Sequence, residues 1–466
     1  MALRFYNTLT RRIDDFQSLE DGNVRMYTCG PTVYNFAHIG NFRAYVFEDL
    51  LRRYLKYSGY QVTQVMNLTD VDDKTIKGAL QQGTSLKDYT KTYVDAFFED
   101  LRLLEVEPAE YYPAATDHIS DMIALIHRLF EKGVAYQSED GSIYFSISKY
   151  KDYGKLAHLD MSGLRAGARV AQDEYEKENL ADFALWKAWD EKDGDVFWES
   201  PWGRGRPGWH IECSAMSMRY LGESFDIHTG GVDNVFPHHE DEIAQSEAAT
   251  GKQFARYWLH CAHLIVDGKK MSKSLGNFFT LRDLVQKGYS GREIRYVLIS
   301  TSYRQALNFT FDSLQAARAA LARLDEFRKR LEEAAGVERK DAPLPGWAET
   351  AKTEFATALD DDLNISGALG SLFDMVHAGN KALDAGEVAV GQAWATLALF
   401  ESFDSVLGLL RPKSEQVEPE VLAMVELRQE ARKNKNWAEA DRLREELAAR
   451  GWTVKDTAKG PELKRL

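Results

Sequence analysis

Cys29, Cys213, His238 and Glu242 are the side chains whose types suit a metal ion. His238 and Glu242 are four residues apart in a segment that reads as a helix, so they share one face. Cys29 follows the strand-like NVRMY, and Cys213 ends the run Gly208-Trp209-His210-Ile211-Glu212-Cys213 ahead of a helix-like SAMSMRYL. Two thiolates with an imidazole and a carboxylate favour zinc over magnesium or calcium. The cysteines are far apart in sequence, so a plainer alternative stays open: two buried thiols and a surface His-Glu pair. Cys261, inside the apolar RYWLHCAHLIV, reads as a buried thiol.

One further stretch suits a phosphate-bearing ligand, and others stand at strand ends or in loops. His38-Ile39-Gly40-Asn41 precedes a helix-like AYVFEDLLRRY, and a helix start presents free N–H groups and a positive dipole end. Gly40 lets a flat group approach the backbone. Phe225-Asp226-Ile227-His228 reads as a short strand ending in Thr229-Gly230-Gly231-Val232-Asp233. Lys269 to Asn277 (KKMSKSLGN) reads as a polar loop. The strand-like YQVTQVMN ends in Leu68-Thr69-Asp70-Val71-Asp72-Asp73. There Asp72 and Asp73 either bind an ammonium group or cap the next helix.

These stretches need an open parallel sheet, which collects ligands beyond the carboxyl ends of its strands. The pattern predicts a helical region over 85–136 and a mixed one over 140–205, the latter inserted into the α/β domain. From 312 onward it predicts helices, with Asp312 as an N-cap and linkers at 336–346 and 411–414. A chain of 466 residues accommodates several domains. Three cysteines make no disulfide framework and suit a reducing cytoplasm. No apolar run of membrane-spanning length and no secretory h-region is expected. Net charge is -14, yet residues 427–466 hold eleven Lys and Arg against seven Asp and Glu. That reversal marks either a module with an anionic partner or a salt-bridged helix. Arg428, Arg432, Lys433 and Lys435 stand beside Trp437, and the helix-like AEADRLREELAARG ends at Gly451.

Taken together, these residues resemble the cysteinyl-tRNA synthetases, a family of class I aminoacyl-tRNA synthetases. His38-Ile39-Gly40-Asn41 is similar to the HIGH signature, with Asn41 at the second His. Lys270-Met271-Ser272-Lys273-Ser274 matches KMSKS, and TCGPTVY, GWHIECSAM and FPHHEDEIAQS resemble blocks of that family in order. The resemblance implies a Rossmann-type catalytic domain over 1–311, with an insertion at about 110–205 and a KMSKS and stem-contact region at about 267–311. A helical-bundle tRNA-binding domain over 312–411 and an anticodon-binding module over 415–466 would follow.

The resemblance implies ATP-dependent attachment of L-cysteine to tRNA(Cys) through cysteinyl-adenylate. His38, Asn41, Lys270 and Lys273 would be catalytic. His38, Gly40, Asn41, Gly230, Gly231, Asp233 and Lys273 would bind ATP with its Mg2+. Thr32, Thr69, Trp209 and His228 would line the amino-acid pocket. One zinc ion per chain, on Cys29, Cys213, His238 and Glu242, would select the substrate thiolate. Such selection needs no editing domain, and the insertion is short for one. The enzyme is expected to be a cytoplasmic monomer without membrane contact. The rivals are a ligase joining activated cysteine to a small amine, which needs no anticodon module, and a non-catalytic zinc- or RNA-binding relative.

Overall fold

The computed structural model describes residues 2–161, 169–170, 181–272, 274–410, 419–450, 452–457 and 460–465. Lys273, the linker expected at 411–414 and Gly451 lie outside the described residues. The chain opens with the hairpin β1 (Arg4–Asn7) and β2 (Arg12–Asp15), then β3 (Asn23–Thr28), α1 (Ile39–Tyr57), β4 (Gln61–Met66), α2 (Asp73–Gln82) and α3 (Leu86–Leu103). Next come α4 (Ile119–Glu131), β5 (Ala135–Gln137), β6 (Ile143–Phe145), β7 (Arg169–Val170), β8 (Asp182–Ala188) and β9 (Gly205–Pro207). They lead into α5 (Trp209–Leu221), β10 (Phe225–Gly231), α6 (His238–Thr250) and β11 (Ala255–Cys261). After these lie β12 (Leu264–Val266), β13 (Lys269–Lys270), α7 (Leu281–Gln286), α8 (Gly291–Ile299) and β14 (Leu307–Phe309). The helices α9 (Phe311–Ala335), α10 (Gly346–Asp360), α11 (Ile365–Asp384) and α12 (Val390–Leu407) follow. The chain closes with α13 (Pro419–Lys433), α14 (Trp437–Ala449) and the hairpin β15 (Trp452–Thr457) and β16 (Gly460–Arg465).

The central sheet runs β11-β10-β3-β4, every pair parallel. A parallel sheet is covered on both faces, so its strands lose the in–out alternation. β3 alternates in burial over its first half and is wholly buried over its second, and β10 is buried from Phe225 to Gly230. The carboxyl ends of these strands are therefore the deep ends. The segment between α4 and α5 forms a separate five-stranded sheet, β5-β6-β8-β7 with β9 on β8. No described helix is long and apolar enough to cross a membrane.

Several boundaries differ from the sequence expectation. α1 starts at Ile39, five residues before the helix-like AYVFEDLLRRY, because His38 and Asn41 cap each other reciprocally. α5 takes in Trp209 to Cys213, which places Cys213 in its second turn. Asp312 lies inside α9, and Thr310 is the N-cap, its hydroxyl accepting the Ser313 N–H at 3.0 Å. The apolar run over 256–266 is cut in two. β11 joins the central sheet, whereas β12 pairs with β13 and β14 in a three-stranded one. Asp72 caps α2 by accepting the Lys74 N–H at 2.6 Å, and Asp73 pairs with Lys187 and Arg206.

Residues up to Leu409 make one compact unit and residues from Leu410 another. The helices α9 to α12 thus share a unit with the sheet, and α12 packs directly on α1. Arg295 of α8 ties this junction. Fully buried, it donates to Asp49 of α1 at 2.5 Å, to the Leu407 carbonyl at 2.7 Å and to the Leu104 carbonyl at 2.9 Å. Asp49 also meets Arg53 at 2.7 Å, so one cation remains when Arg295 is removed. Arg295→Met should cost roughly 1–3 kcal/mol for each buried acceptor it leaves unpaired. Urea unfolding measures this, and a loss below about 1 kcal/mol would show that the junction is held elsewhere.

Candidate active site

At the deep end of the sheet, donor atoms of Cys29, His238, His239 and Glu242 all lie within 4.8 Å of one another. Cys29 follows β3 directly, and the other three occupy the first two turns of α6. His238 Nε2 is 3.1 Å and His239 Nε2 3.9 Å from Glu242 Oε1. Cys29 Sγ is 3.2 Å from His239 Nε2 and 3.9 Å from Glu242 Oε1. Cys213 is buried and close enough to this group to raise the Cys29 pKa. Three of the four expected ligands thus meet in one cluster with Cys213 adjoining, and His239 joins them. The spacing could have revealed His239, since it stands three residues before Glu242 on the same helical face.

The electrostatics of this group suit a cation. Burial, then the neighbouring Cys213, holds the Cys29 thiol well above the usual range, and burial also raises the Cys213 thiol. Burial pushes His238, His210 and His260 down to about 3 and His239 well below its usual value. Neutral rings and un-ionised thiols therefore surround a fully buried carboxyl group with no positive charge among them. A divalent cation would supply that charge and lower the thiol pKa values. His238 Nδ1 lies 2.9 Å from His210 Nδ1. If it donates there, its Nε2 lone pair stays available for a metal. The other Glu242 oxygen is held by His228 Nε2 at 2.9 Å.

His228 is itself fully buried, stacked on Trp258 at 4.5 Å. Its contact with Glu242 braces that carboxyl group. Trp209, the first residue of α5, stacks on the His238 ring at 4.2 Å. Thr32 and Thr69 pair across the sheet end as an isolated bridge, and the Thr69 hydroxyl donates to Glu212 at 2.9 Å. Gly230 serves this centre in a way its sequence context does not suggest. A Cβ there would meet His239 Cε1 at 2.8 Å, so glycine makes room for the ring.

At the start of α1, His38 Nδ1 accepts the Asn41 N–H at 3.2 Å and Asn41 Oδ1 accepts the His38 N–H at 3.1 Å. An accepting Nδ1 puts the proton of a neutral His38 on Nε2. The backbone N–H of Asn41 thus fixes the His38 ring while the Asn41 side chain holds the His38 backbone, a task that needs no charged imidazole. The first turn of α1 carries no acidic residue, leaving its positive end uncompensated. Glycine at 40 keeps space for the His38 ring, because a Cβ would lie 2.9 Å from Nδ1 and 3.2 Å from Met271 Cε. The chain after the Lys-rich loop is pinned here too. Ile39 N–H donates to Phe279 O at 3.0 Å, and Phe278 packs edge-on to His38.

Lys270 is exposed at the end of β13. Asn277 closes the loop that follows, accepting Ser272 N–H at 2.8 Å and donating to Lys270 O at 3.1 Å. The sequence reading missed Asn277, which no periodicity marks. Asp233 is exposed in the short turn after β10, next to Gly231. Cys261 ends β11, its Sγ 3.7 Å from the Arg43 carbonyl, and burial raises its pKa to about 12.

The C-terminal unit builds its own core from Val421, Val425, Leu447 and Val454, with Trp452 against it. Trp437 stays outside that core, 57% exposed, with the Arg432 guanidinium 5.7 Å from its ring centre.

Comparison with known proteins matches the family model of the class I tRNA synthetase (C) catalytic domain over residues 15–319. A DALR domain matches 354–411 and a cysteinyl-tRNA ligase anticodon-binding domain 414–461. Cysteine--tRNA ligase of Protochlamydia amoebophila is 51% identical over 470 residues, spanning 100% of this chain and 98% of that protein. Cysteine--tRNA ligase of Solibacter usitatus is 51% identical over 468 residues, covering 100% of each. Among solved structures, methionyl-tRNA synthetase of Mycobacterium tuberculosis with methionyl-adenylate has a TM-score of 0.63 at 15% identity, covering 83% of this chain and 92% of that one. At that identity the likeness concerns the fold.

Proposed function

This chain belongs to the cysteine–tRNA ligase family of class I aminoacyl-tRNA synthetases, and from that premise we propose how its own residues carry the reaction. The chain is an aminoacyl-tRNA synthetase that joins cysteine to tRNA at the expense of ATP. The carboxylate of cysteine attacks the α-phosphorus of ATP, giving cysteinyl-adenylate and releasing pyrophosphate. A ribose hydroxyl of the terminal adenosine then attacks the acyl carbon, loses its proton, and AMP departs.

The observation that carries the amino-acid choice is the buried Cys29–His238–Glu242 group beneath Trp209. Cys29, Cys213, His238 and Glu242 would hold one zinc ion, which when bound lets a substrate thiol ionise and rejects a hydroxyl. His239 stays out of that set in this proposal. Thiolate is the softer ligand and suits zinc better than a second imidazole, which is the ground for choosing Cys213. Trp209, Thr32 and Thr69 enclose the substrate, and His228 orients Glu242. His38 Nε2–H and the α1 N-terminus receive phosphate oxygens, with Asn41 positioning the ring. Gly230, Gly231 and Asp233 lie toward the adenosine. Lys273, supported by Lys270, neutralises charge building on the pyrophosphate, and ATP brings its own Mg2+. Catalysis is then positioning and electrostatics, without a nucleophilic side chain.

The sheet unit to residue 311 forms the catalytic domain, the helices over 312–411 contact tRNA, and 415–466 read the anticodon. The enzyme acts as a cytoplasmic monomer. Removing residues from about 415 onward should leave cysteine-dependent pyrophosphate exchange within about twofold and weaken tRNA charging, chiefly in tRNA affinity. Affinity of the full chain should fall with rising salt through counterion release. A truncated protein that charges tRNA as well as the intact one would instead favour a small amine as acceptor.

A further inference from the structure

Residues 34–36 form an exposed run between two parts of the site. On one side, buried Val33 donates its N–H to Thr69 O at 3.0 Å. On the other stands His38. Tyr34 and Phe36 keep 38% and 39% of their surface exposed. They are nevertheless held in place. The Tyr89 hydroxyl donates to the Tyr34 carbonyl at 2.7 Å, and Phe36 packs edge-on against Tyr93 at 5.4 Å. A cation stands by each ring. Lys74 Nζ is 5.5 Å from the Tyr34 centre, and the Arg282 guanidinium is 5.1 Å from that of Phe36. Arg282 is braced by Glu99 at 2.7 Å and by the Ala96 carbonyl at 3.3 Å.

Fixed, half-exposed rings flanked by cations are what single-stranded nucleic acid uses: the rings stack on bases and the cations meet phosphates. Protein–protein interfaces are depleted in lysine, so Lys74 beside these rings favours a polyanionic strand over a protein partner. Resting on the tRNA-charging reading above, we propose that Tyr34 and Phe36 form a stacking platform for the unpaired 3′ end of tRNA, with Lys74 and Arg282 contacting its backbone. The location suits that strand. The terminal ribose must reach an acyl group held between Thr69 and His38, and residues 34–36 are the chain that joins those two walls.

The test uses the full-length enzyme and tRNA whose terminal adenosine is replaced by 2-aminopurine riboside, whose fluorescence falls on stacking. Binding to the intact enzyme should quench the probe, and the Y34A/F36A double variant should lose that quenching. In single-turnover assays the double variant should transfer cysteine from preformed adenylate to unmodified tRNA roughly tenfold or more slowly, given what base stacking on an aromatic ring contributes. Its pyrophosphate exchange should fall by a much smaller factor. Phe36→Trp, which keeps a ring, should restore most of the transfer rate to an otherwise intact protein. Exchange and transfer falling by the same factor would overturn the platform, because the rings would then only brace the site. Transfer within twofold of the intact enzyme would overturn it as well. An intact enzyme that makes adenylate but acylates no tRNA would overturn the charging reading itself and the platform with it, a result distinct from a loss confined to the variants.

Discussion

Cys29→Ser should leave the purified protein with less than a tenth of the zinc found in the intact chain, which should hold one ion. Cys29 sits at the centre of the buried donor group, and a serine hydroxyl ionises far less readily than a thiol. Cysteine activation should fall by about 10³-fold or more, because a site that recognises one group strongly discriminates by roughly 10⁴. The contrasts make the assignment specific. Cys213→Ala should also empty the site, whereas His239→Ala should keep the ion. His228→Asn should weaken metal affinity by about 10–100-fold, since it removes the partner orienting Glu242. Cys261→Ala should leave metal content unchanged. Metal analysis by mass spectrometry decides each case. Zinc retained in Cys213→Ala but lost in His239→Ala would exchange those two residues in the ligand set. A metal-free intact protein with full cysteine activation would remove the metal from the mechanism.

Lys273→Ala should slow adenylate formation by about 10²–10³-fold, the range for deleting one preorganised charge-stabilising donor. Cysteine affinity should change by no more than a few fold, because the lysine charge is used as the pyrophosphate leaves and little before. Lys270→Ala should be milder. Its place at the end of β13, where its carbonyl accepts from Asn277, suits a supporting part. Rapid-quench measurement of adenylate formation at saturating cysteine, with cysteine titrations alongside, separates the two effects. Equal losses in rate and in cysteine affinity would mean that Lys273 holds the ground state.

The parallel-sheet class was legible because strand-like and helix-like stretches alternate, as NVRMY, AYVFEDLLRRY and YQVTQVMN do in turn. The donor types of the buried group and the strand-end location of the phosphate motifs were legible for a related reason. Cys29, His38, Thr69 and Gly230 each follow or border a recognisable strand or helix boundary, and a parallel sheet puts such boundaries at one edge.

Contacts between residues far apart in sequence were decided by the tertiary structure. Nothing in FDIHTGG says that His228 turns inward to hold Glu242, or that Gly230 is small to admit the His239 ring. Those follow from α6 crossing the end of β10. Of the two histidines in FPHHEDEIAQS the sequence points to His238 alone, and which nitrogen of each faces a metal depends on His210 and His260 standing behind them. Asn41 shows the same division. Its departure from HIGH is visible in sequence, but its use as a reciprocal cap for His38 is a property of backbone geometry at the start of α1. The break of RYWLHCAHLIV into strands of two sheets is likewise invisible to local pattern, since both halves are equally apolar and only their partners differ. Local propensity and periodicity act over a few residues, whereas the site is built from strand ends that meet only after the sheet has closed its long-range register.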